Sequence, residues 1–464
     1  MRFFIFIVLI FGPFYLIAEN IYIKDIDADF SNFNSSNYEK LYNAHLKAID
    51  EKLIIDYEGV DTIKLDISTS ARPIPIPNVI DFKNVVLIVN NIHKDLTLFE
   101  YSNVLYPIEI DKNISVDSVY SSIKEFENKK ILLVITDRNN WINERVGYRY
   151  NHIRKDLVVV ENSIACNQTI QPYNNQSSDP TYSYCDITND TIRFANLVFQ
   201  RTDKSTRKTF CLKIQNANNI MLNNISITTP PSELYGDAAL TFNNCANIKL
   251  SDVTINGTYS KKDKYGYGIS MNNVYNCIFD NLFGDGKWGI FGTNNVNTAH
   301  LNNCNLNRFD IHCYGKDVFC SNTLFHTLYN QFSSFYGILK YDKCMFNKFI
   351  PVTIDGSFSA YTSFNVIFKD CRLEIDPHRP FLFNMSHSRF LIDSVRPELK
   401  KLSWPNLFIE NMDIISNSNI DKLYIYHTYD NGIVKLDKMP IIEIQNLNFE
   451  FDKISLSNSI VDIN

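Results

Sequence analysis

Five side chains capable of polar chemistry fall into one pattern. In Arg308-Phe309-Asp310-Ile311-His312-Cys313-Tyr314 every second residue is ionisable or phenolic, and Lys287 lies 21 residues before Arg308. On a strand, alternate residues share one face. Arg308, Asp310, His312 and Tyr314 are therefore expected together on the outer face, with Lys287 one repeat away. A guanidinium can hold a carboxylate in bidentate fashion. Beta-elimination on a uronic acid needs a cation to neutralise that carboxylate, a base for the acidified proton, and an acid for the leaving oxygen. Lys287, desolvated beside Arg308, suits the base, because burial and a neighbouring cation both lower a lysine pKa. His312 or Tyr314 suits base or acid. A glycoside hydrolase would instead pair two carboxyl groups, Asp310 with Asp237 or Asp285. A surface ladder of ion pairs among Lys287, Arg308 and Asp310 would do no chemistry and contribute little. Substrate contacts are expected from Asp237, Trp288, Tyr314 and Arg149, the last in a polar, aromatic stretch, Asp137–Asp156, that reads as a solvated turn or as a cover over the same face.

Positioning falls to a repeat. The phrase Leu222-Asn224-Ile225-Ile227 returns as Leu250-Asp252-Val253-Ile255, Phe279-Asn281-Leu282 and Leu301-Asn303-Cys304-Leu306. With changes it returns again as Cys320-Asn322-Thr323-Phe325, Tyr341-Cys344-Phe346 and Phe368-Asp370-Cys371-Leu373. The steps are 28, 29, 22, 19, 21 and 27 residues. Repeats of this length are stacked supersecondary units. Alternating Val, Ile, Phe and Asn make the units strands, so the fold class is all-β, a parallel solenoid. Asn at each corner suits a bend in the αL region. A second column, Leu240, Ile269, Ile290, Ile311 and Ile338, is expected to stack inside. Two residues earlier, Tyr267, Trp288, Phe309 and Tyr336 form an aromatic series, read as core by parity and as sugar-stacking subsites by chemistry.

A net charge of −6 on 464 residues argues against a nucleic-acid partner and leaves glycans open. Met1-Arg2, an apolar run from Phe3 to Ile17, then Ala18-Glu19 reads as a secretion signal over residues 1–18, with no spanning segment after it and a secreted or cell-surface destination. Five of the ten cysteines, Cys245, Cys277, Cys304, Cys344 and Cys371, take interior positions of the repeat. Cys166 and Cys185 flank a polar loop and are candidates for a disulfide in an exported chain. No spacing suits zinc, so no metal or other cofactor is expected.

Before the repeat, Asn37–Ile49 has helical apolar spacing and is expected to cap an otherwise open solenoid end. A second short helix is expected at Ser115–Glu127, and Lys130–Thr136 is a strong strand. Residues 19–136 are read as cap and first coils, and 137–464 as one solenoid. No heptads suggest a coiled coil, and the oligomeric state stays open.

The columns and the capping helix resemble the right-handed parallel β-helix, or pectin-lyase-like, superfamily over most of the chain. The resemblance implies action on polysaccharides, as lyase, hydrolase, esterase or depolymerase, or a non-catalytic adhesin. Some lyases of that superfamily carry Lys and Arg one coil apart with acidic calcium ligands. Here only Asp280 and Asp285 stand near, and no polygalacturonase-like Asp pair occurs.

Overall fold

A computed structural model describes residues 20–90, 92, 95–110, 123, 126–144, 151–170, 180–188, 191–202, 209–229, 238–256, 267–285, 289–311, 313–326, 330–333, 335–347, 352–355, 364–375, 383–386, 405–416 and 441–451. It is a parallel β-helix with an N-terminal capping helix, Ser35–Glu51. The long strands Thr209–Thr228, Ala238–Asn256, Tyr267–Asp285 and Gly289–Asn302 each wrap most of one coil and pair in parallel with the next.

The phrase column stacks residue on residue. Phe194, Leu222, Leu250, Phe279, Leu301, Cys320, Tyr341, Phe368, Ile409 and Ile444 are partners in successive rungs. All but Ile444 are buried. The rings among them and beside them interlock, as in Phe279–Phe291–Phe309, at centroid separations of 5.0 and 4.8 Å. Burying the cysteines of these columns pushes their thiols up, Cys304 to about 11 and Cys371 to about 12, so they behave as small apolar residues.

Each coil turns at left-handed corners. Asn224, Asp252, Asn281, Asn303, Asn322, Lys343 and Asp370 all have φ between 47° and 56°. Asn tolerates this region because its short amide bonds locally, and the amides also bond along the stack: Asn224 Nδ2 donates to Asn196 Oδ1 at 2.8 Å, Asn281 Nδ2 to Asp252 Oδ1 at 2.6 Å. A second corner column, Asn216, Asn244, Asn273 and Asn295, repeats the device, with amide bonds of 2.8 and 3.0 Å between the first three.

Several expectations need correction. Ile269 pairs with Phe291, not Ile290. Coil length drops here from 29 to 22 residues, and the Ile290 side chain fills the space beside Gly268 and Gly284, where a Cβ would lie 2.2 and 2.5 Å from it. Ile311 leaves the column for a separate parallel ladder, pairing with Phe332, while Ile338 is half-buried opposite Asn365. Nor is Asp137–Asp156 an irregular turn: Lys130–Glu144 and Asn151–Glu161 are antiparallel strands. With Tyr106–Ile108, Ile164–Ala165 and Pro180–Asp186 they form a five-stranded cover sheet. One of its faces, Ile131, Leu133, Ile135, Val158 and Val160, packs with Phe126; the other, Leu132, Val134, Leu157, Val159 and Cys185, packs on Ala246 and Tyr275 of the coils. Cys166 and Cys185 are not joined in a disulfide: Cys166 is exposed, and Cys185, on the coil-facing side of the cover sheet, is buried with its thiol donating toward the Asn216 carbonyl at 3.4 Å. The helix expected at Ser115–Glu127 lies largely outside the described residues.

The capping helix closes the coil end through Tyr38, Leu41, Ala44 and Ala48, and through His45. His45 is buried between the Pro75 carbonyl, 2.9 Å from Nδ1, and the Tyr57 hydroxyl, 2.7 Å from Nε2. The fit is that of a neutral ring, Nδ1–H donating and Nε2 accepting, and burial lowers its pKa to about 4. The unfolded chain, near 6.5, takes up the proton first as pH falls. The folded-state advantage of the neutral ring is thus complete above about pH 6.5 and is lost toward pH 4, amounting to about 3 kcal/mol. Denaturant midpoints measured across that window should fall for the wild-type chain and fall less for His45→Gln. Parallel slopes would contradict the assignment.

Candidate functional site

The cover sheet changes the fate of the charged segment. Arg308 and Asp310 are 1 % and 0 % exposed and form an ion pair with each other. The sequence pattern placed them on a solvent face; instead Asn307, Arg308, Phe309, Asp310 and Ile311 are all buried. The reason lies in the backbone. Asp310–Ile311 is a two-residue strand of one sheet and Cys313–Ser321 belongs to another, so a single outward and inward alternation does not run through the segment. Asn side chains hold the flanking turns: Asn307 Oδ1 accepts from Ile290 N and Arg308 N, both at 2.9 Å, and Asn330 Oδ1 from Phe309 N at 2.7 Å. Thr293 Oγ1 donates to the Asp310 carbonyl.

Tyr314 is buried as well, and its backbone is unusual. It occupies the corner column of Asn216, Asn244, Asn273 and Asn295, with φ 64°. A bulky residue in the αL region stores strain that the surroundings must offset. The cover sheet supplies the compensation. The Tyr314 hydroxyl donates to the Asp156 carboxylate at 3.3 and 3.4 Å, and the Arg154 guanidinium lies 5.6 Å from the ring centroid. Arg154 Nε donates to Asp156 Oδ2 at 2.8 Å, and Ile170 N to Asp156 Oδ1 at 2.9 Å. Tyr336 packs edge-on against Tyr314 at 5.9 Å. Asn295 Nδ2 donates to the Lys155 carbonyl at 3.3 Å and Asn297 Nδ2 to the Gln168 carbonyl at 2.8 Å. The arrangement fastens the cover sheet to the coils with polar bonds across a buried interface.

Of the residues expected to touch substrate, Lys287, Trp288, His312, Asp237 and Arg149 lie outside the described residues. The strands Gly289–Asn302 and Cys313–Ser321 pair with an offset of 19, Asn294 opposite Cys313, whereas the offset of 21 belongs to the separate ladder of Asp310 and Gln331. The aromatic series also divides. Phe309 is core, Tyr336 sits under the cover sheet, and Tyr267 is half-buried on the outer face. Its ring lies against Gly292, where a Cβ would come within 2.5 Å of it. Around it run two outward columns, Thr241–Ser270–Gly292 and Gln215–Asn243–Asn272–Asn294. In the latter, Asn272 Nδ2 donates to Asn243 Oδ1 at 3.1 Å and Asn294 Nδ2 to Asn272 Oδ1 at 3.0 Å. The result is an aromatic ring packed so close to the neighbouring rung that a glycine must stand against it, beside a row of amides.

Sequence reasoning missed Arg154, Asp156 and Thr293 because the segment around the first two was read as a turn; the run Leu157-Val158-Val159-Val160 after them was the available signal for a strand. It missed Gly292 because only the packing shows what the absent Cβ admits. Among the described residues, no three His, Cys, Asp or Glu come together to hold a metal ion, and no helix is long and apolar enough to cross a membrane. Asp280, a calcium-ligand candidate, accepts from Asn303 Nδ2 at 3.2 Å.

Comparison with solved structures fixes the handedness. The tailspike protein gp49 from Pseudomonas phage LKA1 superposes with a TM-score of 0.54 at 12 % identity, covering 90 % of this chain and 72 % of its own. The fold is a right-handed parallel β-helix. Two further tailspikes are similar at lower scores: gp61 of Pseudomonas phage phi297 (0.49, 11 % identity, 89 % of this chain and 81 % of that one) and Gp54 of Acinetobacter baumannii bacteriophage AP22, solved with a capsular saccharide (0.42, 10 %, 90 % and 75 %). No protein-family model and no curated protein matches the chain.

Buried placement makes a quantitative demand on Arg308 and Asp310. Removing one member of a buried pair strands the other charge, at about 3–5 kcal/mol, while replacing both with apolar residues is often near neutral. Unfolding of Arg308→Met should show a loss of about that size, and Arg308→Met with Asp310→Leu should regain most of it. A loss below about 1 kcal/mol for the single variant would restore the exposed reading.

Proposed function

We propose that this chain is a secreted β-helix protein that binds an extracellular polysaccharide on its outer face, with a sugar ring stacked on Tyr267. The observation that carries the reading is the half-buried Tyr267 ring seated on Gly292 beside the Asn243–Asn272–Asn294 amide row. An aromatic face takes the C–H side of a pyranose, and amides exchange hydrogen bonds with its hydroxyls. The superfamily resemblance and the tailspike-like fold support the same substrate class. The net charge of −6 fits a partner other than nucleic acid. Secretion rests on residues 1–18 as a signal segment. No cofactor is invoked.

Cleavage is the second reading, as a lyase acting by β-elimination. It is supported by the superfamily resemblance, which includes lyases, and by the spacing of Lys287 and His312 around Arg308 and Asp310 in the sequence. In this reading Lys287 and His312 act as base and acid, while Arg308 and Asp310 hold the segment rather than touch the sugar.

Affinity electrophoresis through gels containing polyuronate or neutral polysaccharide tests the binding surface. Tyr267→Ala removes the ring and Gly292→Ala displaces it. Each should weaken retention roughly tenfold, as expected when a sugar gives up its stacking partner and the hydrogen bonds that stacking aligns. Full retention in both variants would contradict the reading. With the same polymers, ultraviolet absorbance of an unsaturated product reports elimination. Its loss in Lys287→Ala and His312→Ala supports the lyase; no product from any polymer leaves binding alone.

A further inference from the structure

The face that carries Tyr267 breaks strand alternation in the same way on successive rungs. Cys211 and Leu212, Ala239 and Leu240, and Ile290 and Phe291 are consecutive residues that are both buried. On the rung of Ile269, a Cβ on Gly268 would likewise point inward, onto Ile255 and Ile290. Two inward residues in a row mark a bend, so the position before each pair faces outward. Those positions are Phe210, Ala238, Tyr267 and Gly289. Tyr267 pairs with Ala238 and with Gly289, and the pairing of Leu212 with Leu240 sets Phe210 in line with Ala238. Phe210 and Tyr267 are both half-buried. They stand two rungs apart, about 10 Å, too far to cover one another. The next outward column is Lys213–Thr241–Ser270–Gly292, and beyond it the amide row begins one rung earlier, at Gln215. Lys213 pairs with Glu100 at 3.0 Å, and the row runs into the same carboxylate: Gln215 Nε2 donates to Glu100 Oε1 at 3.0 Å, and Asn243 Nδ2 to Gln215 Oε1 at 3.5 Å.

We propose that Phe210 is a second stacking platform, and that this face takes an uncharged, linear polysaccharide along the helix axis, with sugars two units apart on Phe210 and Tyr267. The inference rests on the Tyr267 reading and extends it to the direction, length and charge of the ligand. Three observations select the occupant. The two rings share one column, so the line between them gives the direction of the polymer, and two rungs come close to two pyranose lengths. Among the described residues of these columns the charges are Lys213 and its partner Glu100, which neutralise each other, so a uronate or phosphate polymer finds no spare cation there. The other outward groups are hydroxyls and amides. Each bond of the amide row uses one N–H and one lone pair of groups that have two of each, so Asn243 and Asn272 keep donors and acceptors for sugar hydroxyls. A protein partner would need an apolar core, whereas around the two rings every outward position except Ala238 is polar or glycine.

The test uses the full chain in gels of a neutral glucan, a galactomannan and polygalacturonate, with oligosaccharides of the retaining polymer as competitors and the thermal transition recorded for every variant. The wild type should be held by a neutral polymer, with little dependence on salt. A trisaccharide should compete roughly tenfold better than a disaccharide, because it alone spans both rings. Phe210→Leu keeps an apolar side chain and removes the ring. It should weaken retention roughly three- to tenfold and erase the step between disaccharide and trisaccharide, while Phe210→Tyr keeps both. A step that survives in Phe210→Leu, with retention lost in Tyr267→Ala, would overturn Phe210 as a subsite and leave the Tyr267 reading intact. Stronger retention by polygalacturonate than by either neutral polymer, or retention that falls as salt rises, would overturn the uncharged ligand. Full retention in Tyr267→Ala, or no retention of the wild type in any gel, would overturn both readings.

Discussion

The structure depends on the left-handed corner. A parallel β-helix must bend its backbone several times per coil without losing the ladder of hydrogen bonds between rungs. An αL residue makes the bend in one step, and an asparagine there both tolerates the conformation and bonds the corner above it. The columns at Asn224 and at Asn216 repeat this coil after coil. Once the corners are in register, the residues between them are assigned to inside or outside, and the apolar columns follow. Where the ladder is interrupted, as at Lys343, the corner keeps its φ of 53° without an amide to join the stack.

Tyr314 shows the same constraint from the other side. It takes an asparagine position and cannot join the amide ladder. Its hydroxyl reaches the cover sheet instead, where Asp156 also receives Arg154 and the Ile170 amide. The strain of an aromatic αL residue is offset by docking a second sheet. That docking buries Tyr314 and Tyr336, while Tyr267 stays half-buried on the coils.

The phrase from Leu222 to Leu373 was legible because each copy carries the same three instructions: an inward apolar residue, a corner former, another inward residue. Its register in the structure is the one its spacing implies, coil by coil. The helix at Asn37–Ile49 was legible from its apolar spacing. The Ile290 column was not, because coil lengths change at that point and packing against Gly268 and Gly284 decides which residue turns inward. The outward parity of Arg308 and Asp310 failed for a related reason. Alternation informs only within a strand, and the strand there is two residues long. The cover sheet's bonds to the coils join residues 158 positions apart, Asp156 and Tyr314, which no local pattern reveals.

The central claim is that Tyr314 exchanges a place in the corner ladder for a hold on the cover sheet. Amide hydrogen exchange across Asn151–Glu161 in Tyr314→Asn measures this most directly. Asparagine restores the corner type and deletes the hydroxyl, so the coils should keep their protection while these cover-strand amides exchange faster by an order of magnitude or so, as expected when a buried carboxylate loses a donor worth about 1–2 kcal/mol. Unchanged exchange in Asn151–Glu161, or loss of protection in the coils around Asn295 and Val318, would contradict it.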